Sequence, residues 1–134
     1  MTSTMRAYVT GGTSPLTPAD RPVPTVGREE VLVRTRSASL NNADLAGSDD
    51  EHIAGFEFAG DVVEVGAGAP AQLVGARVMG VTVGALAEFV VTHHSQVLPV
   101  AERLSHEEAA ALPIGLGTEH GGLLLGGVAP RHRC

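Results

Sequence analysis

The 134-residue chain is 43% apolar and 18% charged, enough for one buried core and too apolar for wholesale disorder. Nine basic residues, all arginine, face fifteen acidic ones for a formal charge of −6, and no basic stripe argues for nucleic-acid binding. The single cysteine, Cys134, excludes an internal disulfide framework and a cysteine-rich zinc site. No apolar run approaches the roughly 20 residues of a membrane span. Residues 1–10 lack the apolar stretch of a secretory signal, so the expected location is the cytoplasm.

In chain order, residues 6–10 read as a short strand stopped by Gly11 and Gly12. Four prolines between residues 15 and 27 forbid a helix and predict an extended surface segment. Residues 30–37 alternate, with Val31, Val33 and Thr35 on one face and Leu32, Arg34 and Arg36 on a wet one. Residues 40–45 suit a helical turn, because Asn and Asp hydrogen-bond local backbone. Residues 47–52 form a short acidic loop. Further strands are expected at 56–65, 73–79, 86–92 and 96–100, with a turn region around Gly80 and Gly84. Gly60 inside a strand pattern marks a bend or a close backbone approach. Ser105 and Glu108 form a capping box for a helix continuing to Leu112 and limited by Pro113. A second short helix is expected over residues 118–125. The fold class is mainly β with short helices, in a small barrel.

An ordered series of motifs carries the functional signal. Residues 30–37 lead to Leu40-Asn-Asn-Ala-Asp44, then to Gly55-Phe-Glu-Phe-Ala-Gly60 and Val63-Glu-Val-Gly66. Gly75-Ala-Arg-Val-Met-Gly80, Ala85-Leu-Ala-Glu-Phe-Val90 and Ala109-Ala-Ala-Leu-Pro113 follow. Together they resemble the N-terminal GroES-like catalytic domain of the medium-chain dehydrogenase/reductase superfamily. Within it they resemble most the quinone oxidoreductases and the enoyl reductase domains of polyketide synthases.

The resemblance implies a GroES-like, partly open β-barrel over residues 1–128, with the inter-domain linker starting near residue 105 and a non-family tail at 129–134. It implies a small-molecule substrate, a quinone or an enone, reduced by NADPH that a Rossmann domain holds. By the same resemblance Asn41, Asp44 and Phe56 belong to the substrate site, and Asn41 and Thr118 approach the nicotinamide. No catalytic proton donor is assigned. Phe56 stands where the zinc-dependent alcohol dehydrogenases have a ligating histidine, so no zinc is expected.

Other clusters carry less. His93 and His94, adjacent on a strand, would point to opposite faces. Asp49, Asp50, Glu51 and His52 lack the spacing of a metal loop and read as solvated. The glycines from Gly115 to Gly121 mimic a dinucleotide fingerprint, but no strand precedes them and no βαβ unit follows, so they read as linker.

The nine residues after Leu125 cannot supply a βαβ unit of roughly 30 residues. One expectation is therefore a reading frame truncated or shifted near Pro130, which sequencing the downstream DNA would check. NADPH is not expected to bind this chain alone. A second expectation is a split enzyme with its Rossmann half on a separate chain. A third is a stand-alone GroES-like interaction module without redox chemistry. An apolar patch around residues 105–112, bare of its family partners, would favour self-association.

Overall fold

In a computed structural model, the protein is described over residues 2–46 and 48–127. Val128 and the tail to Cys134 lie outside the described residues. Among the described residues, eight strands form two antiparallel sheets. They are β1 (Thr4–Gly11), β2 (Ser14–Pro22), β3 (Glu30–Ser39), β4 (His52–Ile53), β5 (Glu57–Val65), β6 (Arg77–Val81), β7 (Phe89–His93) and β8 (Val97–Pro99). The small sheet runs β2-β1-β4 and the large one β7-β3-β5-β6-β8. A bridge from Ala7 to Ala87 joins them. The bonds Tyr8 N to Leu86 O (2.8 Å) and Glu88 N to Arg6 O (3.0 Å) flank that bridge. The result is a barrel that is partly open, as expected.

The main core follows from the alternation of β3. Val31 and Val33 point inward and meet Phe58, Val62, Val78, Ala85 and Val90. Leu32, expected on the wet face, is buried as well. Helix α1 (His106–Ala110) lays Ala109 and Ala110 over the outer face of the large sheet, against Ala59 and Met79. Its N-cap is the expected box: Ser105 Oγ accepts from Glu108 N at 3.1 Å, and Glu108 accepts from Ser105 N at 2.9 Å. Gly60 is the expected close approach. A Cβ there would collide with the Arg34 carbonyl across the β3–β5 ladder, where the register shifts.

Several expectations need correction. The proline-rich stretch is extended, but its first part pairs with β1 as a strand. Pro18 and Pro22 are tolerated because β2 is an edge. The strand expected from Leu73 starts at Arg77, since Ala71–Leu73 closes a 3-10 turn. Gly80 belongs to that strand and faces Phe58, leaving Thr82 to Gly84 as the turn. The strand expected from Leu86 starts at Phe89, because residues 86–88 serve the junction between the sheets.

Pro113 does not end helical structure. It opens α2 (Pro113–Leu125), where its missing N–H costs nothing, so the second helix starts five residues early. His93 and His94 do not diverge. His94 begins a 3-10 turn, and the two rings stack with centroids 4.7 Å apart. The apolar surface expected around residues 105–112 lies instead on α2, which buries no residue and exposes Leu116, Leu123, Leu124 and Leu125.

Candidate functional site

The turn after β3 is built by one carboxylate. Asn41 enters in an extended conformation, and the 3-10 turn Asn42–Leu45 follows. Asp44 Oδ2 accepts from Asn41 N at 2.7 Å, and Oδ1 accepts from Gly55 N at 2.9 Å. The buried Asp44 thus ties the end of β3 to the approach to β5. Gly55 has φ of 99°, and a Cβ there would lie 2.6 Å from Leu86 N, so the site requires glycine.

The next acid extends the chain of contacts. Glu57, 3% exposed, opens β5. Its Oε1 accepts from Asn41 Nδ2 at 2.9 Å, and its Oε2 accepts from Ile114 N at 2.9 Å. Ile114 lies in the first turn of α2, where backbone donors lack intrahelical partners and the helix dipole favours an anion. One buried side chain therefore fastens both Asn41 and the start of α2 to the barrel.

A cavity of about 380 Å³ lies beside this network. Asp44, His52, Ile53, Phe56 and Val83 line it, with Thr10 at its side. Phe56 is half-buried, and its carbonyl accepts from Thr82 N at 2.9 Å, which holds the wall in place. His52 sits on β4 opposite Thr10, and its Nδ1 meets the Asp50 carbonyl at 3.0 Å.

The sequence-expected residues are thus partly gathered. Asn41 and Asp44 share one network, and Phe56 shares a cavity with Asp44. Thr118 is exposed on α2, one turn beyond Ile114, and no contact among the described residues joins it to Asn41. Sequence reasoning missed Glu57 and His52. Glu57 had a signal, an acid flanked by Phe56 and Phe58 at the start of a buried strand. His52 was masked by the acidic run before it.

A second cavity of about 380 Å³ between β1 and β3 is lined by Tyr8, Thr35, Arg36, Leu86 and Glu88, and holds none of the expected residues. The Thr35 hydroxyl there is buried and has no hydrogen-bond partner among the described residues. On the outer face of the large sheet, Arg36 Nε meets Asp61 Oδ2 at 2.7 Å and His106 Nε2 meets Oδ1 at 3.2 Å. Burial pushes the Asp61 carboxyl up, but the Arg36 hydrogen bond and the His106 and Arg36 charges outweigh it and hold it below its ordinary value. Among the described residues no three His, Cys, Asp or Glu side chains gather as a metal site. No described helix is long and apolar enough to cross a membrane.

Comparison with known proteins decides the family. Residues 27–102 match the alcohol dehydrogenase GroES-like domain. The chain belongs to that family. Around this GroES-like domain, the relatives are oxidoreductases of the medium-chain dehydrogenase/reductase superfamily. A trans-enoyl reductase of Aspergillus niger is 35% identical over 118 residues, covering 78% of this chain and 32% of the relative. The quinone oxidoreductase of Coxiella burnetii superposes with a TM-score of 0.84 at 26% identity, over 92% of this chain and 45% of that one. The quinone oxidoreductase of Thermus thermophilus, solved also in complex with NADPH, gives 0.77 at 31% identity, over 94% of this chain and 42% of that one. The GroES-like domain described here spans about a third of the length of the curated relatives it matches. It is an oxidoreductase-type domain.

Proposed function

We propose that this chain is the substrate-shaping domain of a zinc-independent, NADPH-dependent reductase of quinones or α,β-unsaturated carbonyls. The domain occupies residues 1–128 in this reading, with the linker beginning near residue 105. Asn41, Asp44 and Phe56 form the substrate wall, and Asn41 and Thr118 border the nicotinamide. The observation that carries the reading is the Glu57 clamp. It holds Asn41 at 2.9 Å and the first turn of α2 at 2.9 Å, so the substrate wall and the linker helix are positioned by one group.

The described residues do not fit a whole dinucleotide. The glycines at 115–121 lie inside α2, where Leu116 N already bonds Leu112 O at 2.8 Å. Pyrophosphate needs free amides at a helix start, and Glu57 occupies the one at Ile114. The reading therefore places NADPH on a Rossmann domain beyond the described residues. Zinc independence is supported by the donor set. Phe56 offers carbon, both Asp44 oxygens bind backbone N–H groups, and both Glu57 oxygens are engaged. Solvent-facing leucines on α2 support self-association of this chain when its linker helix is uncovered.

The test is to join the chain to the dinucleotide-binding half of a quinone oxidoreductase and follow NADPH oxidation. Turnover with a quinone or an enone, unchanged by a zinc chelator, is expected. A folded chimera that binds NADPH yet reduces neither substrate class, or that needs zinc, would sink the reading.

A further inference from the structure

Within the cavity beside Asp44, most polar groups are already committed. Asp44 gives both oxygens to backbone N–H groups, and Ser48 Oγ donates to the Asp50 carbonyl at 3.2 Å. His52 differs. Its Nδ1 lies 3.0 Å from the Asp50 carbonyl oxygen, which has lone pairs and no proton, so Nδ1 must be the donor. In neutral imidazole the proton on Nδ1 leaves Nε2 as a bare acceptor. Nε2 has no partner among the described residues. Opposite polarity from the surroundings is limited. Glu51 is paired with Arg21 on β2, and Asp49 and Asp50 are exposed. Thr10, paired opposite His52, adds a hydroxyl that can donate or accept and so serves either kind of ligand oxygen, and Ile53, Phe56 and Val83 make the other walls near His52 apolar.

We infer that His52 Nε2 is a specificity-determining acceptor that makes this cavity prefer a flat, apolar ligand presenting a hydroxyl over the same ligand presenting a carbonyl. The inference rests on the reading of this cavity as the substrate site, and it names the redox form that the site favours. A hydroquinone or enol donates its O–H to Nε2. A quinone or enone carbonyl meets a lone pair instead, and binds without that bond. Held by the Asp50 carbonyl, the ring keeps this polarity without help from a second side chain.

The experiment uses the whole chain and no cofactor. Duroquinone and durohydroquinone share one ring and four methyl groups and differ in the two oxygens. Their affinities are measured by heteronuclear NMR titration under argon at neutral pH. One net hydrogen bond, about 0.5–1.5 kcal/mol, corresponds to roughly a two- to tenfold preference for durohydroquinone. His52→Phe keeps an aromatic wall and removes both ring nitrogens, and the two affinities are expected to converge. His52→Gln, which retains an acceptor, is expected to keep part of the preference. Equal affinities in the natural protein would overturn the inference, and so would a preference that survives in a folded His52→Phe. Shifts from neither probe around Phe56 and Val83 would overturn it as well. None of these results touches the chimera turnover that tests the proposed function, so the two can fail separately.

Discussion

Strand β5 and helix α2 meet at a single side chain and differ in almost everything else. From Glu57 to Gly60 every residue of β5 is buried, whereas α2 buries none of its thirteen residues. The strand pairs on both sides, with β3 and β6. The helix is fastened at its first turn by Glu57 and then carries Leu116, Leu123 and Leu124 on one stripe in solvent. The contrast shows which part of the chain is self-sufficient. The barrel supplies its own core, while α2 is tied down at one end and needs a covering surface that the described residues do not provide. Helix α1 lies between these extremes, since Ala109 and Ala110 are buried and His106 reaches Asp61.

The largest expected effect is on the barrel. Phe58 is 0% exposed at the centre of the main cluster. Phe58→Ala should cost about 3–5 kcal/mol, which in a small domain is a large part of total stability. Urea unfolding reads this directly, and a loss below about 1 kcal/mol would break the claim that β5 carries the core. Glu57→Gln comes next. The amide presents an N–H₂ group to either Asn41 Nδ2 or Ile114 N, so two donors face each other. A loss of about 1–3 kcal/mol is expected, with faster amide exchange confined first to α2. Uniform acceleration through β3 and β5 would mean that the two regions are one cooperative unit.

A smaller effect concerns α1. The Asp61 carboxyl is held below its ordinary value of 3.8, so its pairing stabilises the fold above that pH and is lost as pH falls through the lowered folded value. Both Asp61 and His106 are partly exposed, which screens the pair. Asp61→Asn should therefore cost no more than about 1 kcal/mol at neutral pH, and the difference from the natural protein should vanish in acid, once the pH has fallen through the lowered folded value. A difference that persists there would assign the effect to packing. The smallest change in stability is expected at Leu124, which is 53% exposed. Leu124→Glu should stay within about 0.5 kcal/mol in the melt yet weaken association in sedimentation runs. A stability loss as large as that of Glu57→Gln would show that α2 is packed after all.

The sequence made some of this legible and hid the rest for physical reasons. Alternation exposed β3, and the Ser105–Glu108 box located α1, because both signals are local. Gly60 announced the close approach to Arg34 for the same reason. Proline misled twice. It permits an edge strand at β2 and the opening of a helix at α2, and neither choice is visible without knowing the neighbours. His93 and His94 were misplaced because the strand ended between them. At the candidate site, Asn41, Asp44 and Phe56 stood out through motif order. Glu57 gained its meaning only when strand pairing brought residue 57 to residues 41 and 114. The acceptor on His52 depends on a backbone carbonyl two residues away, and composition says nothing of that.

The central claim of the proposed function is that the described residues supply a substrate wall and an anchored helix α2 but no dinucleotide site. Calorimetric titration of NADPH into the purified chain tests it most directly. The account predicts no saturable heat of binding. Saturable one-to-one binding, weakened by substitutions along residues 115–121, would contradict it.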